Sequence, residues 1–188
     1  MQEFSLQARL VLPRKRDEVF QFFADAGNLQ VLTPPWLRFR VLTPRPIQMH
    51  PGTLIDYELR VRGLPLKWRS EITVWDPPEC FVDEQRRGPY HQWIHEHRFK
   101  ESDDGTLCTD FVRYSVLGGA VVNWLLVRRD VEKIFAFRTE QLRKLFGSPA
   151  LQNSDDIYAN RSERPDAAGL CVPANQAGRS KFSSQVSN

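Results

Sequence analysis

Residues 54–74 read LIDYELRVRGLPLKWRSEITV. Ile55, Tyr57, Leu59 and Val61 alternate with Asp56, Glu58, Arg60 and Arg62. Beyond Gly63-Leu64-Pro65, the residues Leu66, Trp68, Ser70, Ile72 and Val74 alternate with Lys67, Arg69, Glu71 and Thr73. A period of two puts one set of side chains on each face of a strand. Two such runs across a Gly-Pro turn predict an antiparallel pair with one apolar face and one charged face.

The same period extends in both directions. Upstream, Leu37, Phe39 and Val41 alternate with Arg38 and Arg40. Downstream, Asp76-Pro77-Pro78, Gly88-Pro89 and Asp103-Asp104-Gly105 punctuate runs at 80–87, 90–100 and 106–117. The result is a meander of six strands with short connections. An earlier strand precedes it, because Phe4, Leu6, Ala8, Leu10 and Leu12 alternate with Ser5, Gln7 and Arg9 before Pro13. Residues 14–25 then carry Val19, Phe20, Phe22 and Phe23 at helical spacing, with Gly27 as a stop. Asn28 to Leu32 form one more short helical turn before Thr33-Pro34-Pro35.

Gly118-Gly119 closes the sheet, and a long helix follows over 121–146. Its apolar stripe is Trp124, Val127, Val131, Ile134, Phe135, Leu142, Leu145 and Phe146, with Arg128, Arg129, Glu132, Lys133 and Glu140 facing away. One sheet with one apolar face and one helix with one apolar stripe are buried together when the sheet curls around the helix. The expected fold class is therefore α+β: a seven-stranded curved antiparallel sheet wrapped around a long C-terminal helix, with two short helices after the first strand. Residues 1–147 form this domain. Residues 148–188 are rich in Ser, Asn, Ala, Arg and Pro. They carry too little apolar surface to offset their ordering entropy and are expected to be a disordered tail.

The composition narrows the function. Basic and acidic residues number 26 and 23, which is too balanced to call for a nucleic-acid partner. Arg38, Arg40, Arg60, Arg62, Lys67 and Arg69 would cover the convex face, but Asp56, Glu58 and Glu71 are interleaved with them. A salt-linked, solvated face is the better reading. The longest apolar stretch, Val116 to Val127, contains Gly118, Gly119 and Asn123 and falls short of the ~20 residues of a membrane span, so no integral membrane association is expected. Cys80, Cys108 and Cys171 have neither disulfide-framework nor zinc-site spacing. They read as thiols in a reducing compartment, and a cytoplasmic location is expected.

The chemistry gathers in residues 91–99, HQWIHEHRF. His91, Trp93, His95, His97 and Phe99 share one face of a strand, and Glu96, Arg98 and Lys100 share the face expected to meet water. Three readings compete for His95 and His97. Both could reach one metal ion, but a site needs further ligands, and the carboxylates available are Asp83 and Asp110 on neighbouring strands. Their facing depends on turn register: an odd loop around Gly88-Pro89 puts Asp83 and Gln85 on the histidine face, and a two-residue loop puts Glu84 there. No metal and no cofactor are expected. The second reading is acid–base catalysis by a histidine with a carboxylate partner. The third, which is preferred, makes the histidines hydrogen-bonded polar groups lining a mostly apolar cavity. Arg138 lies between Ile134 and Leu142 on the long helix and reads as a flank residue with its head in water; the alternative pairs it with a ligand carboxylate, Asp83 or Asp110. Tyr57, Trp68, Trp93 and Tyr114 are candidates for stacking on a flat ligand.

Several stretches carry a family resemblance that spans residues 3–147. They are Asn28-Leu29 with Leu32-Thr33-Pro34, Gly52-Thr53-Leu54-Ile55-Asp56-Tyr57, Trp68-Arg69, Phe81-Val82-Asp83-Glu84-Gln85 with Gly88-Pro89-Tyr90, and Trp93 to Phe99. Together they resemble the START-like, or SRPBCC, superfamily with the helix-grip fold, and within it the bacterial ligand-binding, polyketide cyclase/dehydrase-like subgroup. The resemblance implies a cavity between sheet and long helix that holds a hydrophobic or amphipathic small molecule, in a carrier, sensor or accessory role. The lining expected on this basis is Tyr57, Trp68, Asp83, Gln85, Trp93, His95, His97, Phe99, Asp110, Tyr114, Phe135 and Arg138. The alternative is a cyclase or dehydratase in which His95 or His97 works with Asp83 or Asp110. A third class is an interaction domain whose pocket receives a segment of a protein partner.

Overall fold

The computed structural model describes residues 2–147, 157–160 and 171. Strand β1 (Phe4–Leu12) leads into helix α1 (Arg16–Ala24), a 3-10 turn at Ala26–Asn28 and the single turn α2 (Leu29–Leu32). The meander follows as β2 (Arg40–Val41), β3 (Leu54–Val61), β4 (Leu64–Asp76), β5 (Cys80–Arg87), β6 (Gln92–Ser102) and β7 (Gly105–Ser115). A short helix α3 (Gly119–Val122) continues through a π-helical turn at Asn123–Val127 into α4 (Arg128–Phe146). The sheet is antiparallel in the order β2-β3-β4-β5-β6-β7-β1, with a further strand β8 (Ile157–Asn160) on the outer edge of β1. The curved sheet and long terminal helix are those expected, with two short helices between β1 and β2.

The alternation drives the burial. Along β1 the apolar set is buried and the residues between are not, and the pattern recurs at Trp68, Ser70 and Ile72 on β4. One part of the core packs α1 and the end of α4 on the sheet through Phe20, Phe23, Phe81, Phe99 and Leu142. A second part joins β1, β7 and the start of α4 through Phe4, Val112, Tyr114, Val131 and Phe135. The turn between β6 and β7 needs Gly105: its φ is +130°, and a Cβ there would lie 2.2 Å from the Leu12 carbonyl oxygen.

Four expectations are corrected. The run at Leu37, Phe39 and Val41 is not one strand. Pro34 and Pro35 set up a 3-10 turn at Pro35–Leu37, Arg38 caps it at φ 46°, and only Arg40–Val41 pair with β3. The helical stripe omits Trp124 and Leu145, which are 68% and 47% exposed. The π turn inserts a residue and shifts the phase there, which turns Trp124 out; within α4 the buried stripe is Val131, Phe135, Arg138, Thr139, Leu142 and Phe146, and Leu145 lies off it. Glu96 does not face water. It is 4% exposed, takes a hydrogen bond from the Cys171 backbone N–H at 3.0 Å, and pairs with Arg98.

The fourth concerns the cysteines. Cys80 and Cys171 form a disulfide, and Cys108 is free and buried. Disulfides persist in oxidising settings, so the cysteines no longer support a reducing compartment. The expected disordered tail falls mostly outside the described residues; within it β8 pairs with β1, and Cys171 is tied to β5. Thiol titration of the denatured, unreduced protein is expected to count one thiol of the three cysteines, and all three after reduction. Three thiols without reductant would contradict the bond.

Two of the arginines read as convex are salt-linked there, whereas Arg38 caps the 3-10 turn and Arg62 turns to the long helix, donating to Asp130 Oδ2 at 3.0 Å and to the Leu126 carbonyl at 3.1 Å. Arg40 pairs with Glu58 at 2.6 Å, and Arg69 with Asp56 at 2.7 Å. No helix among the described residues is long and apolar enough to cross a membrane.

Candidate functional site

Register brings the polar groups together. Asp83 on β5 stands directly opposite His95 on β6, so the loop around Gly88-Pro89 is of the odd kind. Asp110 on β7 stands opposite His97. His95 and His97 are two residues apart and share the concave face. The two carboxylates therefore flank the two imidazoles from opposite sides, and each faces both rings. Asp83 Oδ1 lies 3.3 Å from His97 Nε2 and 3.7 Å from His95 Nδ1. Asp110 Oδ1 lies 3.2 Å from His95 Nε2 and 2.6 Å from His97 Nδ1. The last contact is close but out of line for a hydrogen bond.

Each carboxylate has a second support. Arg138 reaches down from α4 and donates from Nε to Asp110 Oδ2 at 2.9 Å. Its head is not in water: the residue is 8% exposed, with its guanidinium over the Phe23 ring at 5.1 Å. Asp83 Oδ2 accepts from the Ser70 hydroxyl at 3.3 Å. Ser70 in turn accepts from Trp68 Nε1 at 3.1 Å and lies 2.7 Å from the Tyr57 hydroxyl. Ser70 thus uses one donor and two acceptors, its full capacity.

Charges follow from this packing. Burial works to raise Asp110, but Arg138 and His97 outweigh it and hold the carboxyl well below the ordinary range. Burial also opposes ionisation of Asp83, and the hydrogen bond from His97 with the charges of both histidines brings it down. The histidines are pushed apart. Burial, then the neighbouring His97, lowers His95. Burial also disfavours charge on His97, but Asp110 and Asp83 outweigh it and raise that ring. Burial pushes the Tyr57 phenol far up, so it stays a neutral donor.

Above this cluster lies a cavity of about 190 Å³ between the sheet, α1–α2 and α4. Of the residues expected to line it, Tyr57, Trp68, Asp83, Trp93, His95, His97, Phe135 and Arg138 do. The other four sit elsewhere. Gln85 closes the β5–β6 loop, donating from Nε2 to the Tyr90 carbonyl at 2.7 Å. Phe99 is packed between Phe20, Phe23 and Phe81. Tyr114 donates its hydroxyl to Asn123 at 2.9 Å, where the helix begins. Asp110 lies beneath the histidines as their support. Sequence reasoning missed Ser70 and the wall from α1 and α2, which includes Phe22, Phe23, Leu29 and Leu32. Ser70 had a signal: it is the one polar residue among Leu66, Trp68 and Ile72 on the inward face. The wall had none, since its residues read as ordinary core. The alternation expected to reach Val74 is corrected, because a bulge after Ile72 turns Trp75 inward against Phe20 and Phe81 instead.

The fold and site define a helix-grip domain with an apolar cavity over a polar floor. The family described as "Polyketide cyclase / dehydrase and lipid transport" matches residues 12–137, and the chain belongs to it. Solved structures agree in fold. Protein Ms6760 from Mycobacterium smegmatis is 20% identical, with a TM-score of 0.57 over 77% of this chain and 91% of that one. Ginseng major latex-like protein 151 from Panax ginseng is 11% identical, with a TM-score of 0.59 over 78% of this chain and 99% of that one. The di-domain ARO/CYC StfQ from the steffimycin biosynthetic pathway is 13% identical, with a TM-score of 0.61 over 78% of this chain and 51% of that one. No curated protein sequence matches the chain.

Proposed function

We propose that this domain binds a compact hydrophobic or amphipathic small molecule in the cavity between sheet and α4, in a carrier, sensor or accessory role. The observation that carries this reading is the lining: mostly aromatic and aliphatic walls, with Ser70, Asp83, His95, His97 and Arg138 gathered at the floor and Asp25, Asn28 and Thr33 on the α1–α2 side. Apolar walls supply burial, and a few fixed polar groups supply orientation. The volume of about 190 Å³ is below the ~300–1,000 Å³ usual for drug-sized ligands, which favours a small ring system over a long chain.

One observation keeps a second reading alive. His97 is shifted up and His95 down, and opposite shifts in adjacent groups are how one site holds an acid beside a base. A cyclase or dehydratase acting on a bound carbonyl compound would use such a pair.

Native mass spectrometry of the full chain, followed by a denaturing run, tests the first reading. The expected result is an organic mass that is present natively and released on denaturation. A bare polypeptide from several expression hosts, with no binding of small aromatic probes, would count against it. The His95→Gln/His97→Gln variant then separates the two roles. A carrier keeps most of its affinity, whereas an enzyme keeps binding and loses turnover.

A further inference from the structure

We propose that Asp83, His95 and His97 form a binding site for one divalent transition-metal ion on the floor of the cavity. Asp110 and Arg138 hold the two imidazoles in place from behind. The inference is independent of whether the cavity takes an organic ligand.

Convergence of donor atoms leads to it: one ligand atom each on Asp83, His95 and His97 lies within 4.8 Å of the others, and proton counting agrees. Four imidazole nitrogens each face a carboxylate oxygen, at 2.6, 3.2, 3.3 and 3.7 Å. Two neutral imidazoles own only two N–H groups. Two of the four contacts then set a nitrogen lone pair against a carboxylate oxygen, which is repulsive. Charging one ring, His97, supplies a third N–H and leaves a single lone pair, on His95 Nδ1, facing Asp83 Oδ1 at 3.7 Å; charging both places two cations with centroids 3.8 Å apart in a buried site. A metal ion removes the conflict. Placed between His95 Nδ1, His97 Nε2 and Asp83 Oδ1, it takes both lone pairs. The remaining N–H groups, on His95 Nε2 and His97 Nδ1, then lie 3.2 and 2.6 Å from Asp110 Oδ1.

This is the carboxylate–histidine–metal arrangement, in which a carboxylate behind the ring fixes tautomer and orientation. The geometry accommodates it. Candidate donor atoms on Asp83, His95 and His97 lie within 4.8 Å of one another. Ligands about 2.0–2.2 Å from one ion stand up to roughly 4 Å apart, so the measured separations to Asp83 need only small adjustments. His97 Nδ1, now out of line with Asp110, gains a defined role as the donor to it. The rings have firm backing: His97 stacks on Phe81 at 4.2 Å and His95 meets the edge of Phe135 at 5.4 Å.

Two nitrogens and one oxygen suit zinc, iron(II), cobalt(II) or nickel(II) rather than calcium or magnesium. Three protein ligands leave a position open toward the cavity, the mark of a site that meets a ligand rather than one that only staples a fold. The charge count says what kind. Asp83, Asp110 and Arg138 sum to one negative charge, and a divalent ion makes the cluster singly positive. One anionic oxygen donor, such as hydroxide or a ligand carboxylate or enolate, then neutralises it.

The test uses the full chain, stripped by a chelator and titrated with Co²⁺ and Zn²⁺. The expected result is one equivalent bound, with a visible Co²⁺ absorption typical of a low-coordinate nitrogen–oxygen site. Asp83→Asn and His95→Gln should each weaken binding at least about 100-fold, and Asp110→Asn about 10–100-fold through its hold on the rings. His91→Gln, outside the cluster, should leave the affinity unchanged. Folding of each variant is checked by its far-UV spectrum and melting temperature. Asp83→Asn, with its unchanged shape, keeps the test decisive if His95→Gln fails to fold. Absence of stoichiometric binding by the stripped wild-type protein would overturn the proposal. So would unchanged affinity in a folded Asp83→Asn variant.

Discussion

Replacing Arg138 by Met is expected to destabilise the domain by about 3–5 kcal/mol, the usual consequence of stranding one member of a buried ion pair. Arg138 donates to Asp110 Oδ2 at 2.9 Å, and the two residues are 8% and 9% exposed. Met keeps the apolar contacts on the α4 stripe and removes only the charge and the donor. Asp110 then keeps the histidines as partners but loses its strongest neutralising neighbour. Chemical denaturation at pH 7 gives the magnitude. The pH dependence shows the cause. Asp110 has a folded pKa held well below its unfolded value of about 3.9. A depressed carboxylate contributes stability that is present above the unfolded pKa and is lost as pH falls through the folded one. Without Arg138 the folded pKa rises, and less of that contribution remains. The gap between wild type and variant should be full near neutrality and shrink on acidification below about pH 4, where Asp110 protonates first in the variant. A gap that stays constant from pH 7 to pH 3 would assign the loss to packing. An Arg138→Met/Asp110→Leu double variant should recover part of the stability, because it removes the stranded carboxylate while leaving His95 Nε2 without that acceptor.

The Arg138 case also marks the limit of what the sequence makes legible. Alternation by itself placed His95 and His97 on the concave face. Turn chemistry confined the alternatives at Asp83 to two, and the observed odd register selects the inward one. These are local facts, set by a strand's period and a loop's length. Arg138 is different. Its place between Ile134 and Leu142 said only that it lay near the stripe, and a long side chain there usually extends its head to water. That it turns inward depends on Asp110, 28 residues away and buried, as an electrostatic partner. The same limit explains Glu96, whose burial depends on Cys171, 75 residues on. It explains the disulfide as well, whose two cysteines are 91 residues apart. Trp124 leaves the stripe for a local reason of another kind. A period of 3.6 was extended through a stretch that is wound as a π turn. Local periodicity was sufficient for the scaffold, whereas the polar floor of the cavity required pairings that only the closed sheet and docked helix create.

Replacing Ile134 by Trp is expected to weaken small-molecule binding strongly while leaving the fold intact. Ile134 is half-buried on α4 and lines the cavity opposite the floor. An indole there would take up part of the roughly 190 Å³ now open and narrow the space between the walls. Filling a well-packed core with extra atoms costs typically ~1–3 kcal/mol, because neighbours must move. A group entering existing space displaces nothing, so stability should stay within about 1 kcal/mol of wild type. Affinity for any molecule that seats between the walls should fall about 100-fold or more, equivalent to about 2.7 kcal/mol. Probe displacement and native mass spectrometry on the full chain measure the first effect, and chemical denaturation the second. The metal site gives an internal control. Its proposed donors belong to β5 and β6 of the sheet, whereas Ile134 belongs to α4. Cobalt binding in the Ile134→Trp variant should therefore persist while organic binding falls. Loss of both would place the indole on the floor, and loss of neither would mean that the cavity bounded by Ile134 is not where ligands reside.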